Sequence, residues 1–203
     1  RGSAQLLERE LDDPQLREYT QVIIAEADRL QELMSRLLTS HRMMQPIQLN
    51  LHDVIERVRR LILAEFPSIE VRRDYDTSLP SVTGDREQLI QAILNIARNA
   101  AQAMQGCGEI VMRTRAARQV TLAKRRFKLA VQLQVIDNGP GIPDDIRDRI
   151  FYPLVSGREN GSGLGLSLAQ SFIEQHQGAI EVESRPGRTC FTLFIPITRD
   201  ADA

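Results

Sequence analysis

Leu16, Ile23, Leu30 and Leu37 recur every seven residues, and Tyr19, Ala27 and Met34 fill the positions between them. That spacing lays one apolar seam along a helix, as in a coiled coil. Asp12-Asp13-Pro14 interrupts the pattern upstream. Asp13 suits an N-cap, and Pro14 the first helical position, where its missing N–H is no loss. Residues 1–40 therefore read as a helical hairpin, with Leu6, Leu7 and Leu11 on its short first arm. Two arrangements satisfy the seam: an amphipathic helix packed on the rest of the chain, or a dimerising four-helix bundle with an incomplete first helix. Pro46 forbids a continuous helix through residues 41–49, which read as a linker.

From residue 50 the periods change. Asn50 caps a helix with Leu51, Val54, Ile55, Val58, Leu61 and Ile62 on one face. Ile69 to Arg73 forms a short strand. Asp85 opens a helix to about Met104, with Leu89, Ile93, Ile96, Ala97 and Ala100 as its buried stripe. Glu109 to Thr114 is a strand. Leu129, Val131, Leu133 and Val135 alternate with Ala130, Gln132 and Gln134, the pattern of a half-buried strand. Another helix follows Gly163 and stops at Gly178. Ala179 to Ser184 and Thr189 to Ile197 form a hairpin around Pro186-Gly187. Strands with interspersed helices predict an α+β fold, a two-layer α/β sandwich with its helices on one face. The organisation is a hairpin (1–40), a linker (41–49), a domain (50–198) and a tail (199–203).

Composition narrows the class without naming it. At 203 residues, one or two domains are expected, and 42% hydrophobic content supports a real core. A net charge of -1 gives no global pull toward nucleic acid or anionic membrane, so neither is expected as a partner. No apolar run approaches the ~20 residues of a membrane helix, and no signal peptide is visible. Cys107 and Cys190 are far apart and form no C-x-x-C pair. Free thiols in a cytoplasmic compartment are expected.

The chemistry concentrates in the second half. Asp137-Asn138-Gly139-Pro140-Gly141-Ile142-Pro143 follows directly on an alternating strand. Its glycines leave room for a flat ligand, and the carboxylate of Asp137 can accept a hydrogen bond from an exocyclic amine such as that of adenine. Gly161-Ser162-Gly163-Leu164-Gly165-Leu166 leads into a helix, where unpaired N–H groups bind phosphate. The run lacks the preceding strand of a dinucleotide fold and the lysine of a P-loop. Asn95 and Asn99, four apart, share a helix face. An amide oxygen is a suitable Mg²⁺ ligand beside phosphate oxygens and water. Residues 144–160 are long and glycine-bearing enough for a lid over a nucleotide, and Arg158 within them can reach a terminal phosphate. The basic segment around Arg113, Arg115, Arg118, Lys124, Arg125 and Arg126 spans a long hairpin that faces solvent or a partner. His41, His52 and His176 are scattered, with no metal-like or triad-like neighbours.

In this order the motifs resemble the ATP-binding domain of sensor histidine kinases. That domain is shared with the ninety-kilodalton heat-shock chaperone, type II topoisomerases and mismatch-repair ATPases. Asn95 to Ala100 matches the N box, Asp137 to Pro143 the first glycine box, Phe151 to Leu154 the F box and Gly161 to Leu166 the second glycine box. The resemblance covers roughly residues 50–197. It implies that ATP contacts Asn95, Asn99, Asp137, Gly139, Gly141, Ile142, Phe151, Arg158 and the run Gly161, Ser162, Gly163, Leu164, Gly165 and Leu166. It implies Mg²⁺ on Asn99 and Asn95, with Asn99 and Arg158 as the catalytic groups. Gln102 stands where many such kinases place a lysine, and Arg158 is the available substitute.

Phe151 to Glu159, Ala4-Gln5-Leu6-Leu7, the long hairpin and Arg72-Arg73-Asp74-Tyr75-Asp76 are similar to the nitrogen-regulation type of sensor kinase. This implies a homodimer that phosphorylates its own histidine and then an NtrC-type response regulator, with the PII signal protein promoting phosphatase action. The histidine of that type lies in His-Glu-Ile-Lys-Asn-Pro, expected shortly before Arg1, so these residues are expected to bind ATP without labelling themselves. Two alternatives stand beside it. A conformational ATPase of the chaperone or mismatch-repair class carries a glutamate base one turn before the Mg²⁺ asparagine, where this chain has Asn95. A degenerate nucleotide-binding scaffold would only recruit a partner, and the intact boxes argue against it.

Overall fold

The computed structural model describes Thr20, residues 44–157 and residues 162–197. The hairpin expected over 1–40, Thr20 apart, and the tail 199–203 lie outside the described residues.

Asn50 starts the first helix as its residue type predicts. Its Oδ1 accepts the His52 N–H at 2.9 Å, and α1 (Leu51–Glu65) follows with Leu51, Val54, Ile55, Val58 and Ile62 buried. Leu61 is only partly buried, at the edge of that stripe. Immediately before α1 lies an element the periodicity hides. Ile47–Leu49 is a strand, β1, where the linker was expected to end. It pairs antiparallel with β3 (Val82–Gly84). Three residues are too few to display a period of two.

β2 (Ile69–Asp74) runs parallel to β4 (Gly108–Leu122). A parallel pair needs a crossover. That crossover contains β3 and α2 (Arg86–Ala103). β5 (Arg125–Asp137) returns antiparallel beside β4. After α3 (Asp144–Arg147) and α4 (Gly165–Gln175), β6 (Ala179–Arg185) and β7 (Arg188–Pro196) close the sheet in the order β2-β4-β5-β7-β6. β4 and β5 run past the alternating stretches expected at 109–114 and 129–135 and form the long hairpin expected around Arg113 to Arg126. Their outer halves turn at Ala123 and Lys124, both at positive φ (45° and 65°), which matches the twist of a two-residue hairpin. Ladder bonds hold this part, and its mixed polar sequence shows no alternation.

α2 packs against both α1 and α4, and the three cover one face of the sheet. Leu89, Ile93 and Ile96 of α2 share one core with Val131, Leu133, Leu193 and Ile195, all fully buried. Each such side chain contributes about 1.5–3 kcal/mol. The opposite face carries Gln132, Gln134 and Thr192. The expected two-layer α+β sandwich is the observed architecture.

Candidate functional site

Asp137 is the last residue of β5, paired with Ile110 on one side and Thr189 on the other. It is 5% exposed. Its Oδ1 accepts the Gly139 N–H at 2.9 Å. Burial raises its pKa above the usual carboxylate value, and the Gly139 N–H pulls the other way. The hydrogen bond seen from the described residues goes to Oδ1, which leaves Oδ2 for a ligand. A desolvated carboxylate without a cation is a strong acceptor for a ligand N–H.

The turn after Asp137 is stitched to its surroundings at every step. Asn138 Oδ1 accepts the Glu109 N–H at 3.0 Å. At Gly139 a Cβ would come within 2.8 Å of Asp137 Oδ1, so a side chain there would displace the carboxylate. The Gly139 carbonyl accepts the Gly187 N–H at 2.9 Å. Gly141 has φ +90° and sits against the Arg185 backbone, where a Cβ would approach to 3.0 Å. The Ile142 N–H donates to Ser184 Oγ at 2.8 Å, and that hydroxyl lies 3.0 Å from Thr189 Oγ1. The β6–β7 hairpin thus supports the glycine turn. Sequence reasoning missed Ser184, Gly187 and Thr189. Hydroxyl residues are ordinary in strands, and Thr189 gains meaning only from its register opposite Asp137.

Of the second glycine run, Gly161 lies outside the described residues, as does Arg158. Ser162 Oγ accepts the Leu164 N–H at 3.4 Å. Gly163 has φ +66°, and its carbonyl accepts the Leu154 N–H at 3.0 Å. Leu164 is fully buried and precedes α4. No side chain caps α4. The N–H groups of Gly165 and Leu166 fall in its first turn, where the helix supplies no acceptors of its own. Such an end attracts anions. The Leu166 side chain packs against the core. Phe151 meets Phe191 edge to face, ring centroids 6.4 Å apart, so it anchors the F segment on the sheet.

Asp85 caps α2, accepting the N–H groups of Glu87 and Gln88 at 3.0 and 3.2 Å. Ten residues on, Asn95 makes two contacts within the protein. Its Nδ2 donates to the Gly165 carbonyl at 3.0 Å, and its Oδ1 accepts from Gln91 Nε2 at 2.9 Å. Both ends of the amide serve protein contacts, and Asn95 braces α2 to the start of α4. Asn99 lies one turn further along the same face, half-buried. Among the described residues no group of three or more His, Cys, Asp or Glu gathers that could hold a metal ion. A metal here would depend on an amide oxygen and on ligand oxygens.

His176 is structural. Its Nδ1–H donates to the Phe172 carbonyl at 2.7 Å, and its Nε2 accepts the Asp85 N–H at 2.9 Å. His52 Nε2 lies 3.0 Å from Thr114 Oγ1, and its ring stacks on Tyr75. The described part of the expected lid, 144–157, contains α3 and a series of turns. Together, the arrangement offers a buried acceptor, a glycine turn with no room for side chains and an uncapped helix start. It suits a ligand with an amine-bearing ring and an anionic tail.

Residues 84–199 match the family model of histidine kinase-, DNA gyrase B- and HSP90-like ATPases. The chain is 51% identical over 202 residues to the sensory histidine kinase/phosphatase NtrB of Vibrio alginolyticus, covering 98% of this chain and 58% of that protein. It is 42% identical over 204 residues to the Rhodobacter capsulatus protein of the same name, covering 97% and 57%. The chain therefore spans less than two thirds of these relatives. Among solved structures, histidine kinase ThkA in complex with response regulator protein TrrA is similar with a TM-score of 0.69 and 26% identity, covering 97% of this chain and 56% of that one. The mycobacterial sensor histidine kinase MprB is similar with a TM-score of 0.60 and 26% identity, covering 76% and 97%. No described helix is long and apolar enough to cross a membrane.

Proposed function

This chain belongs to the histidine kinase-, DNA gyrase B- and HSP90-like ATPase family, and on that premise we propose that it binds ATP·Mg²⁺ and presents the γ-phosphoryl group to a histidine. Asp137 receives the adenine amine, and Gly139, Gly141 and Ile142 line the base. The triphosphate lies at the Gly161–Leu166 turn and the start of α4. Asn99 is the protein ligand to Mg²⁺, and Arg158 meets the terminal phosphate. Asn95 acts on the site through its brace to Gly165. The observation that carries this reading is the buried Asp137 carboxylate, its Oδ2 left for a ligand, beside a turn that excludes Cβ atoms.

The neutral histidine is itself the nucleophile. Its nitrogen attacks the γ-phosphorus and ADP leaves, so the domain needs no general base. Its tasks are positioning and charge neutralisation, the latter supplied in part by bound Mg²⁺. The family's water-activating members carry a glutamate where this chain has Asn95, which is engaged with Gln91 and Gly165. That favours transfer over hydrolysis. The relatives named NtrB support a role in nitrogen regulation, and the ThkA complex supports a response-regulator partner. The whole protein would act as a cytoplasmic homodimer, pass the phosphoryl group to an aspartate of an NtrC-type regulator, and be turned toward phosphatase action by PII.

The test uses radiolabelled ATP, with the chain alone and with a separate helical hairpin bearing His-Glu-Ile-Lys-Asn-Pro. Label is expected on the added hairpin and not on the chain. Label on the chain would place the acceptor among His41, His52 and His176. ATP binding without any label on the hairpin would overturn the kinase assignment.

A further inference from the structure

We infer that Ser184 is a positioning residue for base selection, holding the glycine turn against Asp137 from the neighbouring hairpin. The inference rests on the ATP reading above. Two side chains tie the far end of the turn from Asn138 to Ile142: the Ser184 hydroxyl accepts the Ile142 N–H at 2.8 Å, and Arg147 Nη2 donates to the Ile142 carbonyl at the longer distance of 3.4 Å. The second bond of that hydroxyl, to Thr189 Oγ1 at 3.0 Å, fixes its rotor. Thr189 in turn pairs with Asp137 across β5 and β7, and with Ser184 across β6 and β7. A short path therefore runs from the base-binding carboxylate through Thr189 and Ser184 to the end of the turn. The other ties of this turn to the hairpin are backbone: the Gly187 N–H to the Gly139 carbonyl, and the close approach of Gly141 to Arg185.

Without the Ser184 hydroxyl, the Ile142 N–H is released, and the far end of the turn keeps its backbone ties to the hairpin and the longer Arg147 bond to the Ile142 carbonyl. Asp137 itself stays, because β4 and β7 hold it from both sides. What changes is the distance between the carboxylate and the glycine backbone that lies along the base. Loss of Ser184 should act on base discrimination and spare the phosphate end, which is built from α4 and the Gly163 turn. Threonine suits this half-buried strand position and keeps the hydroxyl, so it is the conservative variant.

The experiment compares the parent chain with Ser184→Ala, Ser184→Thr and Asp137→Asn. Affinities for ATP and ITP are measured by calorimetry, and exchange of the Ile142 amide by NMR without nucleotide. ITP replaces the adenine amine with a carbonyl and keeps the triphosphate. Ser184→Ala should weaken ATP about threefold to tenfold, the loss of one hydrogen bond, and leave ITP within about twofold. The ATP-to-ITP preference should therefore fall. Ile142 exchange should quicken in Ser184→Ala and return to the parent rate in Ser184→Thr, which should also regain the preference. An unchanged Ile142 rate or an unchanged preference in Ser184→Ala overturns the inference. So does an equal loss of ATP and ITP, which would mark a merely structural role. If Asp137→Asn loses ATP while Ser184→Ala does not, only this inference falls. If the parent fails to bind ATP, the functional reading falls and takes this one with it.

Discussion

The Asp85 backbone N–H donates to His176 Nε2 at 2.9 Å, across ninety-one positions of sequence. Asp85 also caps α2 through its carboxylate and accepts the Gln45 N–H at 3.1 Å. One residue thus ties the start of α2, the end of α4 and the approach to β1. Gly84 makes the contact possible, because a Cβ there would lie 2.7 Å from the His176 ring. The two helices that carry the proposed nucleotide contacts are joined at the end away from the Gly163 turn.

That bond requires a neutral imidazole, which gives stability a defined pH dependence. Burial lowers the His176 pKa below its ordinary 6.5, against smaller opposing effects of the Phe172 carbonyl and Asp85. As pH falls below 6.5, the unfolded chain takes up the proton first, so stability drops until the lowered folded pKa is reached. His52 is shifted the same way. Asp137, with a raised pKa, has the opposite sign in the range just above 3.8, where the folded chain holds its proton longer. Melting temperature followed from pH 7.5 down to about pH 5 should decline in the parent and decline less in His176→Gln. Identical slopes would remove His176 from the account.

Asp137→Asn tests the acceptor directly. The amide oxygen can still take the Gly139 N–H, so the turn should hold its shape. What is lost is the charge on the acceptor, worth about 1.5–3 kcal/mol, or roughly tenfold to a hundredfold in ATP affinity. Calorimetry showing parent-like affinity would contradict the adenine assignment.

The long elements were legible because their chemistry repeats. α1, α2 and β5 display periods of 3.6 and 2 over many residues, and Asn50 and Asp85 announce the helix starts. β1 and β3 were not, since three residues carry no period and their stability comes from each other. At the site, Asp137 and the glycine turns stood out because few structures need such residues in sequence. Ser184 and Thr189 did not, because their role depends on which strand lies beside which. Asn95 shows the converse. Its spacing from Asn99 places both on one face, but only the folded structure shows its amide joined to Gly165 and Gln91.

The two asparagines should therefore separate by metal dependence. Asn99→Ala should weaken ATP binding more with Mg²⁺ than without it. Asn95→Ala breaks a brace between helices, so it should weaken both conditions alike and lower the stability of the empty chain by about 1–2 kcal/mol. Paired titrations with Mg²⁺ and with a chelator decide this. Equal losses for Asn99→Ala in the two conditions would exclude it as the ligand. A purely Mg²⁺-dependent loss for Asn95→Ala would restore Asn95 to the metal.

Gly163 and Gly187 form a natural control pair for the proposed phosphate turn. Both have positive φ, +66° and +83°, so alanine strains the backbone at either by about 1–2 kcal/mol. Their surroundings differ. A Cβ on Gly187 meets nothing within 4 Å, whereas one on Gly163 would lie 2.6 Å from the Leu154 carbonyl carbon and 2.7 Å from the Val155 backbone. Backbone cannot step aside as a side-chain tip can, so Gly163→Ala must push the F segment and the turn apart. It also threatens the Leu154 N–H bond to the Gly163 carbonyl. Urea denaturation should show the ~1–2 kcal/mol strain for Gly187→Ala and a clearly larger loss for Gly163→Ala. ATP affinity should fall more than about tenfold for Gly163→Ala and distinctly less for Gly187→Ala. Equal losses in the two variants would mean that the Leu154 contact does not hold the phosphate turn in place.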